Sequence, residues 1–158
     1  VRAAALATVV ASLVATTGTS REAGPPFSYG VAAGEVTTNG ALLWTRAPRA
    51  GRVVLQLREP RRGQVIQNAS AGPANDFTVT VAVSGLRPAT AYTYRFREGG
   101  STSEWGHFTT APLPTRGATV RFAVSGDADA TPGENGRPAY NRFQVYARMA
   151  AEKNDFNI

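Results

Sequence analysis

Leu86-Arg87-Pro88-Ala89-Thr90-Ala91-Tyr92-Thr93-Tyr94 is a turn running into a strand. Pro88 fixes its own backbone and lacks a donor, so the chain bends there rather than pairing. Tyr92 and Tyr94 are two apart and therefore share a face in an extended segment. Upstream, Phe77–Val83 alternates, with Phe77, Val79, Val81 and Val83 on one face and Thr78, Thr80 and Ala82 on the other. Downstream, Tyr92–Arg97 keeps the same period of two. The stretch thus joins two strands, each with one apolar face.

Similar segments continue outward. Phe27–Glu35, Ala41–Arg46, Val53–Arg58, Gln64–Ala69 and Gly106–Thr110 bring the expected strands to seven. Asn39-Gly40 is a hairpin signal between the first two, and Glu59–Gly63 turns the chain before an edge strand at Gln64–Ala69. Seven short strands with turn residues between them predict an immunoglobulin-like β-sandwich. The Leu86–Tyr94 stretch resembles the corner of fibronectin type III domains. That resemblance implies that the Tyr92 ring plugs one end of the sandwich while its hydroxyl bonds backbone upstream. Trp44 reads as a core residue and His107 as a last-strand side chain rather than a ligand. Asn68-Ala69-Ser70 meets the glycosylation pattern, which is only three residues long.

Composition narrows the chemistry. The 158 residues contain no cysteine and one histidine, His107. That excludes disulfides, thiolate metal sites and a cysteine nucleophile, and it leaves no spare base for a Ser-His triad. Sixteen glycines and ten prolines suit a turn-rich β protein. The net charge of +6 comes from sixteen arginines and Lys153 against eleven acids. The arginines are spread along the chain, and Glu35, Glu59, Asp76, Glu98 and Glu104 interleave with them. They read as solvated strand faces, without specific nucleic-acid recognition.

The ends differ from the middle. Val1-Arg2 precedes the apolar run Ala3–Ala15, broken by Thr8 and Ser12, and small residues follow through Ser20. Residues 1–26 therefore read as a secretory signal and linker, too short to span a bilayer, and imply a secreted, periplasmic or envelope location. Residues 27–114 form the sandwich. Residues 115–158 predict strand (Thr119–Ser125), loop, helix (Tyr140–Glu152, apolar at Phe143, Tyr146, Ala147 and Ala150) and a second strand starting at Asn154. That is the opening of an α/β domain with a parallel sheet, truncated here. Such sheets place their sites beyond the strands' carboxyl ends. Asp127-Ala128-Asp129 therefore offers two hard oxygen donors at a suitable place. Equally, these aspartates can cap the following turn.

Phe27-Ser28-Tyr29-Gly30-Val31-Ala32-Ala33-Gly34 and Leu42-Leu43-Trp44-Thr45-Arg46-Ala47-Pro48 resemble the sandwich motifs of the PhoD-type alkaline phosphatases. Val120–Ser125, the helix from Asn141-Arg142-Phe143 to Met149-Ala150, and Asn154-Asp155-Phe156 are similar to the same family. The resemblance implies that a calcineurin-like metallophosphoesterase domain follows the sandwich. The whole enzyme would then hydrolyse phosphate monoesters or diesters at a two-metal centre of Ca, Fe, Mg, Mn or Zn. It also implies a first metal ligand within Gly126–Asp129. Many members carry Ser-Cys there, whereas this chain has Ser125-Gly126-Asp127. The Gly-Asp form resembles the first motif of purple acid phosphatases and general metallophosphoesterases. Asp127 thereby takes the ligand assignment, and Asp129 falls where D-x-H members place a histidine. The other ligands and the catalytic residues are expected beyond Ile158, so these 158 residues alone are expected to be inactive. A purple-acid-phosphatase-like enzyme and a secreted fibronectin-like binding module without catalysis are the alternatives.

Overall fold

The structure is a computed structural model that describes residues 26–59, 63–126, 128–139 and 142–158. The expected export segment at 1–25 lies outside those residues. The first sheet contains β1 (Val31–Gly34), β2 (Gly40–Arg46) and β5 (Thr78–Ser84), antiparallel in the order β1-β2-β5. The second contains β4 (Gly63–Ala71), β3 (Gly51–Glu59) and β6 (Ala91–Glu98) in that order. Its far edge is shared by β7 (Ser101–Thr102) and β8 (Gly106–Thr109), which both pair with β6. Three strands facing five, with the chain crossing between sheets after β2, β4 and β5, is the immunoglobulin/fibronectin III-like sandwich.

Alternation and register build the core together. Ala41, Leu43 and Thr45 of β2 stand directly opposite Val83, Val81 and Val79 of β5, and all six are buried. On the other sheet, Leu55 faces Phe96 and Leu57 faces Tyr94. The two inward faces meet in one apolar cluster that also contains Phe27, Val53 and Tyr92. Burying an aromatic or branched aliphatic side chain contributes roughly 1.5–3 kcal/mol, so this strip dominates the fold's stability. Trp44 departs from expectation. Leu43 holds the inward place on β2, so the period of two puts Trp44 half-buried on the outer surface.

The corner after β5 forms as expected. The Tyr92 hydroxyl accepts a hydrogen bond from the Arg87 backbone N–H at 2.9 Å, and the ring stacks on Phe108 at 5.3 Å. Thr110 completes it: its hydroxyl oxygen accepts from the Thr90 N–H at 3.0 Å and its O–H donates to the Arg87 carbonyl. The Asn39-Gly40 hairpin works differently from its signal. Glu35 takes the left-handed conformation, at φ 46°, and Thr37 closes the loop through its N–H to the Gly40 carbonyl. Gly40 is required by proximity, because a Cβ there would lie 2.9 Å from the Val83 carbonyl oxygen.

After the sandwich come β9 (Phe122–Ala123), α1 (Gln144–Ala151) and β10 (Phe156–Asn157). β9 and β10 are parallel, with Phe122 opposite Phe156 and the two rings stacked at 5.2 Å. The Asp155 N–H donates to the Arg121 carbonyl at 2.8 Å, and the Ser125 N–H donates to the Ile158 carbonyl at 2.8 Å. Strand, loop, helix and parallel strand therefore appear in the expected order, though the strands are short. The expected helical stripe is not buried. Tyr146, Ala147 and Ala150 are exposed and Phe143 is half-buried at the helix start, while Met149 is the buried residue of α1.

Candidate functional site

Both parallel strands end on the same side, and Val124, Ser125 and Gly126 follow β9 at that end. Asp127, the first candidate ligand, lies outside the described residues. Asp129 is exposed, and its Oδ1 accepts the Thr131 N–H at 2.8 Å. The Thr131 side chain first, and its backbone N–H second, hold the Asp129 carboxyl below the usual carboxylate range by hydrogen bonding. Asp129 thus caps the next turn, which is the structural role its sequence allowed. The loop beyond is closed by the Ala139 N–H donating to Thr131 and the Gly133 N–H donating to Arg137.

A metal ion needs more than this. Calcium takes six to eight oxygen ligands and magnesium six. The described residues contain no group of three His, Cys, Asp or Glu side chains able to hold an ion. Taken alone, they supply the Asp129 carboxylate at the strand ends and do not fit a complete metal centre.

A second cluster was not legible as a site in the sequence. The outward positions of the larger sheet carry Arg52 and Arg58 on β3 and Arg95 and Arg97 on β6. The guanidinium carbons of Arg58 and Arg95 both lie 4.5 Å from the Trp105 ring centroid. Arg95 Nε donates to Gln56 Oε1 at 2.6 Å, and Arg52 donates twice to Asn68 Oδ1, at 3.0 and 2.8 Å. An open depression of about 300 Å³ beside Arg58 is lined by Glu59, Gly63, Gln64 and Thr93. His107 stands exposed on the same face, a last-strand side chain as its position implied. Asn68 is exposed and occupied as the acceptor for Arg52.

Fold and strand-end loop define a class: a fibronectin III-like sandwich continued by a β-α-β unit with an acidic loop at its carboxyl end. Residues 12–112 match the PhoD-like phosphatase, N-terminal domain, and the chain belongs to that family. Alkaline phosphatase D of Bacillus subtilis (strain 168) is 30% identical over 144 residues, covering 82% of this chain and 24% of that protein. A solved structure of PhoD is 28% identical with a TM-score of 0.67, over 84% of this chain and 27% of that one. The chain therefore spans about a quarter of the length of the curated relative. No helix among the described residues is long and apolar enough to cross a membrane.

Proposed function

We propose that this chain is the N-terminal part of an exported, metal-dependent phosphoric ester hydrolase acting on monoesters or diesters. The observation that carries the reading is the parallel β9–β10 pair, which follows a PhoD-type sandwich and in sequence runs into Asp127 and Asp129 just past the carboxyl end of β9. In α/β sheets that position is where reacting groups are held. Asp127 supplies a first hard oxygen donor and the Asp129 carboxylate a second, and the remaining donors come from polypeptide beyond Ile158. A bound metal pair of Ca, Fe, Mg, Mn or Zn would supply Lewis acidity at the phosphoryl group. The sandwich acts as scaffold, with the Tyr92 corner and the buried strip fixing the base from which β9 departs. Export follows from the leader-like Val1–Ala15 run.

The test compares the 158-residue chain with a polypeptide extended through the following coding sequence. The extended form is expected to hydrolyse p-nitrophenyl phosphate or its diester and to lose activity to a chelator, while the 158 residues release no product. Asp127→Asn in the extended form should lower bound metal, measured by atomic emission. Metal content and rate both unchanged would remove Asp127 from the site. Turnover by the short chain would overturn the assignment of the reaction to residues beyond it.

A further inference from the structure

The arginines of this sandwich fall into two groups. Arg46, Arg49 and Arg87 are each paired with a carboxylate: Asp76 at 2.7 Å, Glu98 at 3.0 Å and Glu59 at 3.1 Å. Arg52, Arg58, Arg95 and Arg97 have no carboxylate partner among the described residues. All four share the outer face of the larger sheet. Residues opposite one another in an antiparallel ladder lie on the same face, so the occupants of that face follow from the register. They are Arg52, Val54, Gln56 and Arg58 on β3, Gln64, Ile66, Asn68 and Ser70 on β4, and Thr93, Arg95 and Arg97 on β6. Thr102 on β7 and His107 and Thr109 on β8 complete it. None is an acid.

Three of the four guanidiniums are nevertheless held in place. Asn68 fixes Arg52, Gln56 and Trp105 fix Arg95, and Trp105 fixes Arg58. These partners are neutral, so they orient the cations without cancelling their charge. Each guanidinium has five N–H donors; Arg52 spends two on Asn68 and Arg95 one on Gln56. The rest remain for a ligand. Neighbouring strands are about 4.8 Å apart and successive outward residues about 6.7 Å apart, so the charges form a flat array two strands wide.

We propose that this face binds a linear phosphate polyanion, gripped by the planar guanidiniums of Arg52, Arg58, Arg95 and Arg97 through charge-assisted hydrogen bonds. Guanidinium forks match phosphate oxygens in pairs. An extended chain of anions satisfies a row of fixed cations better than a single phosphate does. Trp105 is half-buried and covered by two cations. It is therefore engaged rather than offered to a nucleobase or to bilayer headgroups, which sets this face apart from a stacking platform.

The probe is long-chain inorganic polyphosphate, titrated into the 158-residue chain at several salt concentrations. Binding is expected to weaken with salt, with log K falling by about 0.7–0.9 per log unit of salt for each phosphate neutralised. The double variant Arg58→Gln/Arg95→Gln should weaken binding at least tenfold and reduce that slope. Arg116→Gln/Arg137→Gln, which removes the same charge from exposed loop positions, should change it less than twofold. Trp105→Leu leaves the charge intact but frees the guanidiniums, and should weaken binding about threefold or more with melting behaviour followed in parallel. Equal losses in the two double variants would show that net charge alone is at work and overturn the proposal. So would absence of binding, stronger binding to vesicles of anionic lipid, or affinity for single-stranded oligonucleotides that depends on the base.

Discussion

Tyr94 and Gly106 are cross-strand partners, and the Tyr94 ring occupies the space where a Gly106 side chain would stand. A Cβ built on Gly106 lies 2.5 Å from the ring's Cζ and 2.8 Å from its hydroxyl oxygen. The residue pair therefore has one large and one absent side chain on a single inward site. Tyr94 can lie over β8 because Gly106 leaves the backbone bare, and it meets Phe96 and Phe108 edge-on from there. Gly106→Ala is expected to destabilise the sandwich by about 1–3 kcal/mol through overpacking. Urea denaturation with an unchanged m-value and a midpoint equal to that of the parent would refute this account of Gly106.

Tyr92 stabilises the corner through one hydrogen bond as well as through its ring. Tyr92→Phe keeps the stacking on Phe108 but leaves the part-buried Arg87 N–H without its acceptor. An unsatisfied buried donor costs about 1–3 kcal/mol. The expected loss is therefore at least about 1 kcal/mol. Tyr29→Phe, at an exposed tyrosine, serves as the comparison and should change stability by less than about 0.5 kcal/mol.

Tyr94 also sets an alkaline limit. Burial raises its phenol from 10.0 to about 12, because the phenolate is disfavoured among apolar rings. In the unfolded chain it ionises near its ordinary value. A group with its folded pKa raised gives stability that is complete below the unfolded value and lost as pH rises to the folded one. Stability should thus fall between about pH 10 and about pH 12. Tyr94→Phe should flatten the decline in that window and remove the late-ionising component of the absorbance titration at 295 nm. A parent titration in which all five tyrosines ionise together would contradict it.

The sandwich was legible because its strands obey one period. Val79, Val81 and Val83, or Tyr92, Tyr94 and Phe96, announce an inward face whichever partner covers it. The same period concealed the arginine face. Arg58 is followed by Glu59 and Arg97 by Glu98, and in sequence these pairs look like local neutralisation. Adjacent residues on a strand point to opposite faces. Glu59 and Glu98 therefore turn away to Arg87 and Arg49, and Arg58 and Arg97 are left without a counter-ion. Trp44 was misplaced for a related reason. Side-chain size suggests the core, but Leu43 and Thr45 hold the inward parity. Gly40 carried a turn signal while its requirement came from β5, forty-odd residues away in the chain. The acidic loop was legible as a location, and only Asp129's turn-capping bond decides what that carboxylate does within these residues.

The β9–α1–β10 unit leaves most of its large apolar side chains exposed, Met149 excepted. Phe122 is 56% exposed, Val124 63% and Ile158 68%, whereas Leu43 and Phe96 are fully buried. A parallel pair of two-residue strands and an eight-residue helix bury too little to offset their own ordering. The unit should therefore open in the 158-residue chain without the sandwich unfolding, as a separate low-stability segment. Native-state hydrogen exchange is expected to show fast exchange for the amides of Ser125, Asp155 and Ile158. Those of β2, β3 and β6 should exchange at the global rate. Phe156→Ser should leave the sandwich's urea midpoint unchanged. A polypeptide extended past Ile158 should slow exchange at these same amides by covering Phe122, Val124 and Ile158. Protection at Ile158 equal to that at Phe96 in the short chain would show instead that the tail is already part of the sandwich's cooperative unit.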